Sequence, residues 1–186
     1  MDKPAKRSPI GLAAAGFASA LISIGFQNEW FLGAIFGAVL GVYFAWFEGL
    51  RSPFKFVVFV IACGAAYPFA TLIVGVSRLW SPGEIYFNLA QFFVGGGAGA
   101  FIVLLAGTLL FGPAEMRGDT LGLAFFGGLG GSILGLFGGE LERAIGPHRP
   151  GDIGMSVYFV WQTGVALILG LLLRWGQKRY SQYGLQ

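Results

Sequence analysis

Six apolar runs, Ile10 to Phe26, Trp30 to Phe47, Phe56 to Val76, Leu89 to Phe111, Leu121 to Gly139 and Ile153 to Leu173, contain no Asp, Glu, Lys or Arg. A helix needs about 20 apolar residues, within roughly 17–25, to cross a hydrocarbon core. Each run falls in or close to that range. Lipid offers no hydrogen bonds to an unpaired backbone, which limits such a chain to spanning helices or a closed barrel. Barrel strands are segments of about ten residues that alternate in polarity, whereas these runs are continuous and glycine-rich. The expectation is an all-α, polytopic integral membrane protein with about six Gly-rich transmembrane helices, approximately 9–26, 30–47, 53–76, 82–111, 121–139 and 153–173.

Helix-start chemistry marks the same boundaries. Ser8-Pro9, Ser52-Pro53 and Ser81-Pro82 each set a capping hydroxyl before a proline whose missing N–H costs nothing at a first helical position. Asn28, Asp119 and Asp152 are candidate caps for the other three runs. Ser81-Pro82-Gly83-Glu84 fits a capping box, with Trp80 and Ile85 placed as its hydrophobic staple. The helix that follows is long for a bilayer core, so tilt or an interfacial first turn carrying Tyr86 and Asn88 is expected.

Only 11% of the 186 residues are charged and 55% are hydrophobic, whereas a soluble domain carries roughly 25% charged residues. The runs leave no stretch for a separate water-soluble core, and residues 1–186 are read as a single transmembrane domain. The net charge of +3 does not point to nucleic acid, because the basic residues lie at the chain ends and in short loops rather than on one face. Cys63 is the only cysteine, which excludes an intramolecular disulfide. Lys3, Lys6 and Arg7 ahead of an apolar run with Ala18-Ser19-Ala20 resemble a secretory signal. Cleavage is not expected, since it would leave the rest of a hydrophobic helix at the new end.

Orientation follows from the short loops. With the N-terminus inside, inner segments hold Lys3, Lys6, Arg7, Arg51, Lys55, Arg117, Arg174, Lys178 and Arg179, against Arg78, Arg143 and Arg149 outside. The expected location is a multi-pass cell (inner) membrane with both termini cytoplasmic. Trp30, Trp46, Trp80, Tyr86 and Trp175 lie near run ends, as in an aromatic belt, and Trp161 inside the sixth run is the exception. Residues 31–43 align without gaps on residues 125–137, superimposing Gly33, Gly37 and Gly41 on Gly127, Gly131 and Gly135. An inverted three-plus-three repeat would produce this pattern; so would the shared composition of glycine-rich helices.

Spacing of four puts Gly33, Gly37 and Gly41 on one helix face and Gly127, Gly131, Gly135 and Gly139 on another, the grooves into which a neighbouring backbone fits. Such faces serve contacts within the chain or between chains. Gly95, Gly96, Gly97 and Gly99 sit inside an apolar helix rather than in a strand-to-helix turn, which makes them a poor match to a dinucleotide fingerprint. They and Pro68, which removes a bond to the Gly64 carbonyl, are candidate hinges. Gln91, Gln162, Thr163 and Tyr158 are candidates for a polar path, although a buried glutamine more commonly bonds between helices. Tyr67, Thr71, Thr108 and Ser132 are further polar residues inside the runs.

Enzyme templates fail on inventory. No histidine within a run can activate Ser19, Ser23 or Ser132, and no aspartate pair lies in the membrane. Glu140, Glu142, Arg143, His148, Arg149 and Asp152 fall in an outward segment read as a solvated loop, and one histidine without ligand spacing does not define a metal site. No cofactor or metal is expected. The expected partners are the lipid bilayer and either copies of the chain or other membrane subunits. The leading expectation is a non-enzymatic polytopic membrane subunit acting through helix packing, in a homo-oligomer or a larger complex. A small channel or transporter for a neutral or weakly polar solute is the alternative, and an interfacial membrane enzyme the third.

Overall fold

The computed structural model describes residues 8–23, 29–47, 52–77, 84–145 and 155–181. Among these there are six α-helices and no strand: α1 (Pro9–Ser23), α2 (Glu29–Phe47), α3 (Pro53–Ser77), α4 (Glu84–Phe111), α5 (Thr120–Ile145) and α6 (Met155–Ser181), with a 3-10 turn at Ala114–Gly118 between α4 and α5. Four stretches are long and apolar enough to cross a membrane, Pro53–Ile73, Phe92–Phe111, Thr120–Glu142 and Val157–Arg179. Pro9–Ser23 and Trp30–Trp46 are shorter apolar helices. The expected first helix ran to residue 26, and residues 24–26 lie outside the described set.

Two of the proline-flanking caps form as expected. Ser8 Oγ accepts from Gly11 N at 3.1 Å and Ser52 Oγ from Lys55 N at 3.4 Å. The Ser8 and Ser52 carbonyls accept the first helical bonds, from Leu12 and Phe56, and the Asp119 carbonyl does the same for Leu123 in α5. Asn28, Ser81 and Asp152 lie outside the described residues. Replacing Ser8 by alanine should cost about 1 kcal/mol, visible as a lower thermal midpoint in detergent, with Ser52→Ala smaller because its bond is longer.

Two expected boundaries need correction. α5 runs to Ile145 rather than to residue 139, and α6 to Ser181 rather than to 173. The expectation stopped each helix where its apolar run stopped. Glu140, Leu141 and Glu142, like Arg174, Gln177 and Lys178, are good helix formers, so the backbone hydrogen bonds continue past the end of the apolar stretch. Glu140 and Glu142 therefore stand on the last turns of a helix, not in a loop.

Each helix packs against its successor, and α1 closes the ring against α6, with α4 also touching α6 across it. Neighbours run antiparallel. Tyr43 and Ser8 meet through a 3.4 Å hydrogen bond, Gly41 faces the Phe56 ring, Gly170 faces Pro9, and Gly176 faces Met116 and Pro113. The start of α1 and the end of α6 consequently share one end of the bundle. At the opposite end Gly139 faces Phe92 and Gly138 faces Val157.

On α5 the side chains are sorted by size rather than by polarity. On α5, Leu121, Phe125, Leu129, Ile133 and Phe137 are exposed, while Gly127, Gly131, Gly135 and Gly139, two positions away and so about half a turn round, are buried. In water the large residues would turn inward. A lipid surrounding would account for the difference, since lipid tails are as apolar as leucine and nothing would be gained by hiding large residues from them; α5 approaches α4 through its glycines. Trp30 and Trp46, at the two ends of α2, are exposed, as interfacial anchors are.

Candidate functional site: a buried polar cluster at the centre of the ring

The interior divides into two zones. Toward the end that holds the start of α1 and the end of α6 it is packed with aromatic side chains. Phe44 and Phe111 stack at 4.2 Å between centroids, and Phe59 meets Phe111 edge-on at 5.1 Å. All three are buried together with Leu12, Leu40 and Leu169. Beyond this plug lies a cluster of polar groups contributed by α1, α3, α4 and α6.

Gln162 is its centre and is wholly buried. Ser19 Oγ lies 2.7 Å from Gln162 Oε1 and 2.7 Å from the Gly16 carbonyl. Gln162 Nε2 lies 2.8 Å from the Tyr67 hydroxyl. In that assignment one Ser19 proton serves two acceptors, and the Tyr67 proton has none among the described residues. Turning the carboxamide by 180° exchanges its oxygen and nitrogen without changing its shape. Nε2 then donates to Ser19 Oγ, Ser19 donates to the Gly16 carbonyl, and Tyr67 donates to Oε1. Each hydroxyl proton now has an acceptor, and this is the assignment that buried polar groups favour.

Close helix approach makes the cluster feasible. A Cβ at Gly16 would lie 2.5 Å from the Gln162 carbonyl and 2.8 Å from Ala166 Cβ, so α1 and α6 touch nearly backbone to backbone. That brings the short Ser19 side chain within reach of Gln162. Next along α6, Trp161 Nε1 donates to the Gly96 carbonyl of α4 at 2.9 Å. Its indole lies edge-on to Tyr67 at 5.3 Å, and Tyr67 stacks with Tyr158 at 6.0 Å. Trp161 and Gln162 thus tie α6 to three other helices. Replacing Trp161 by phenylalanine removes one hydrogen bond of a kind worth about 0.6 kcal/mol between membrane helices, and it also removes the indole atoms that pack against Gly99, so the loss of stability should exceed that figure.

Of the expected polar-path residues, Gln162 and Tyr158 belong to this cluster. Thr163 does not join it: its Oγ1 is buried without a hydrogen-bond partner, and one residue from Gln162 means a helix face turned by about 100°. The Gln91 side chain lies outside the described residues. Ser19 and Tyr67, which complete the cluster, were missing from the expected path. The signal for Ser19 was Gly16 three residues earlier, because a helix close enough to need glycine brings a short hydroxyl into contact.

The candidate hinges lie in unbroken helix. Pro68 is inside α3, and Gly95, Gly96, Gly97 and Gly99 are in mid-α4. Three of these glycines have packing roles, Gly96 against Gly131 and Gly135, Gly97 against Ser132, and Gly99 against Trp161. The two ladders are also occupied within the chain. Gly33 and Gly37 face Cys63 of α3 and Gly41 faces Phe56. Gly127 faces Leu104, Gly131 faces Ala100, and Gly135 and Gly139 face Phe92, all on α4. The segments that align in sequence therefore meet unlike neighbours, the following helix for α2 and the preceding one for α5.

Among the described residues no group of three His, Cys, Asp or Glu is placed to hold a metal. His148, Arg149 and Asp152 are outside that set. The fold and cluster define an all-helical bundle of membrane character with a polar knot inside. No protein family, curated protein or solved structure matches the chain.

Proposed function

We propose that the chain is a six-pass protein of the cell (inner) membrane, with both termini cytoplasmic, that serves as a non-enzymatic subunit acting through helix packing, with its own copies or within a larger complex. The observation that carries this reading is the self-contained interior. Ser19, Tyr67, Trp161, Gln162 and the Gly96 carbonyl spend their hydrogen bonds within the bundle, beyond the Phe44, Phe59 and Phe111 plug, while many bulky apolar side chains face outward. Because the glycine ladders of α2 and α5 act as glycine zippers toward α3 and α4, contacts with a partner fall on other faces. The unlike neighbours of the aligned glycines give an inverted repeat no support, and the proposal does not draw on one.

Native mass spectrometry of the protein in nanodiscs tests the reading. A discrete homo-oligomer, or a membrane protein copurifying in fixed ratio at native expression, is the expected result. A monomer that carries a solute across vesicles would overturn it. That alternative, a channel or transporter for a neutral solute, has one observation in its favour: the Tyr67–Gln162–Ser19 cluster adjoins Pro68 on α3. Such flux would be independent of a pH gradient, because the runs contain no ionisable Asp, Glu, Lys, Arg or His.

Topology has its own test. A cysteine placed at Lys55 should resist a membrane-impermeant reagent added outside, and cysteines at Glu29, Arg78 and His148 should react. The reverse pattern would invert the assignment.

A further inference from the structure

We infer that the outward strip of α6 binds the headgroup of an anionic phospholipid through Arg174 and Lys178. The inference rests on the membrane placement proposed above. Leu171, Arg174, Trp175 and Lys178 are spaced i, i+3, i+4 and i+7, which stacks them along one face of a helix, and all four are exposed. The other side of α6 is committed to the bundle, with Leu169 and Leu173 fully buried and Gly176 against Met116 and Pro113.

The strip passes from an apolar residue to interfacial and basic ones, with Arg174 and Trp175 at one level and the long arginine stem able to carry its guanidinium outward. Leu171 meets acyl chain, the Trp175 indole suits the glycerol level, and Arg174 and Lys178 reach the phosphate. The Arg179 guanidinium lies 4.9 Å from the centre of the Trp175 ring. The contact of Met116 and Pro113 with Gly176 brings the 3-10 turn, and with it Arg117, to this end of α6. At this end the described residues include the bases Lys55, Arg117, Arg174, Lys178 and Arg179 and the acids Glu115 and Asp119, a positive balance that complements one phosphodiester.

Basic residues near a helix C-terminus also complement the macrodipole, but that effect fades within the last turn. Arg174 stands about two turns before Ser181. Its place on the lipid-facing strip is what the dipole does not explain.

The test titrates the purified full-length protein with phosphatidylglycerol or phosphatidylcholine and counts bound lipids by native mass spectrometry. The parent should prefer phosphatidylglycerol, and Arg174→Gln with Lys178→Gln should weaken that preference roughly thirtyfold. Arg174→Lys should retain most of it, and Arg174→Gln alone decides the matter should the double variant not fold. Thermal midpoints in phosphatidylcholine should stay level among the variants, whereas the added stability from phosphatidylglycerol should vanish with the charges. Equal binding of the two lipids by the parent, or an unchanged preference in the variants, would overturn the inference. Flotation with neutral liposomes separates it from the membrane reading, since a chain that does not enter a neutral bilayer sinks that reading whatever lipid it prefers.

Discussion

Replacing Gly131 by leucine should strongly destabilise the native fold in detergent or lipid. A Cβ alone at this position would already lie 2.8 Å from the Gly96 carbonyl and closer still to Ala100 Cβ. These are parts of α4 held by its own helical bonds, so no flexible side chain can turn aside. Overpacking commonly costs about 1–3 kcal/mol and sometimes more. Gly131 should be at the upper end, because the three carbons of leucine beyond Cβ have to separate two helices that also meet at Gly96, Gly97, Gly128 and Gly135. A stability of roughly 5–15 kcal/mol leaves little reserve. Ile133→Leu, two residues along on the exposed face, is the control and should behave as the parent does. Size-exclusion profiles and thermal midpoints give the comparison. Native behaviour of Gly131→Leu would mean that α4 and α5 do not touch in this way.

Gln162→Ala should produce the second large effect, about 2–4 kcal/mol. Truncating a fully buried side chain of this size leaves a cavity and loses packing contacts, and the two interhelical hydrogen bonds add about 0.6 kcal/mol each. The Tyr67 hydroxyl would also lose its acceptor and stay buried. Tyr67→Phe, which removes the hydroxyl and keeps the ring against Trp161 and Tyr158, should cost under about 1 kcal/mol. A double-mutant cycle between the two positions should show them coupled. Additive losses would show that the Gln162–Tyr67 bond contributes nothing. A Gln162→Ala chain of parental stability would show that the site is filled by something other than the glutamine side chain.

The sequence was enough for the six helices and for their apolar character. Runs without a charge, serine-proline pairs ahead of two of them, and tryptophans at their ends are local signals, set by backbone hydrogen bonding in lipid and by the shape of proline. It misjudged the ends of α5 and α6, because hydropathy records where an apolar stretch stops and helix propensity decides where the backbone stops. Glu140, Glu142, Arg174 and Lys178 continue their helices beyond the apolar stretch.

The partners of each face were not legible. Glycines spaced by four announce that some backbone comes close, and the spacing is the same whether that backbone is α3, α4 or a second chain. Gln162 was visible as a polar group too costly to leave alone. Ser19 and Tyr67 became its partners only when α1 and α3 were seen on either side of α6, since residues 19, 67 and 162 are joined by the closure of the ring and by no local pattern. Periodicity along one helix fixes which of its faces holds small residues; the facing helix is a property of the assembled bundle, where packing of all six helices selects one arrangement among those their faces permit.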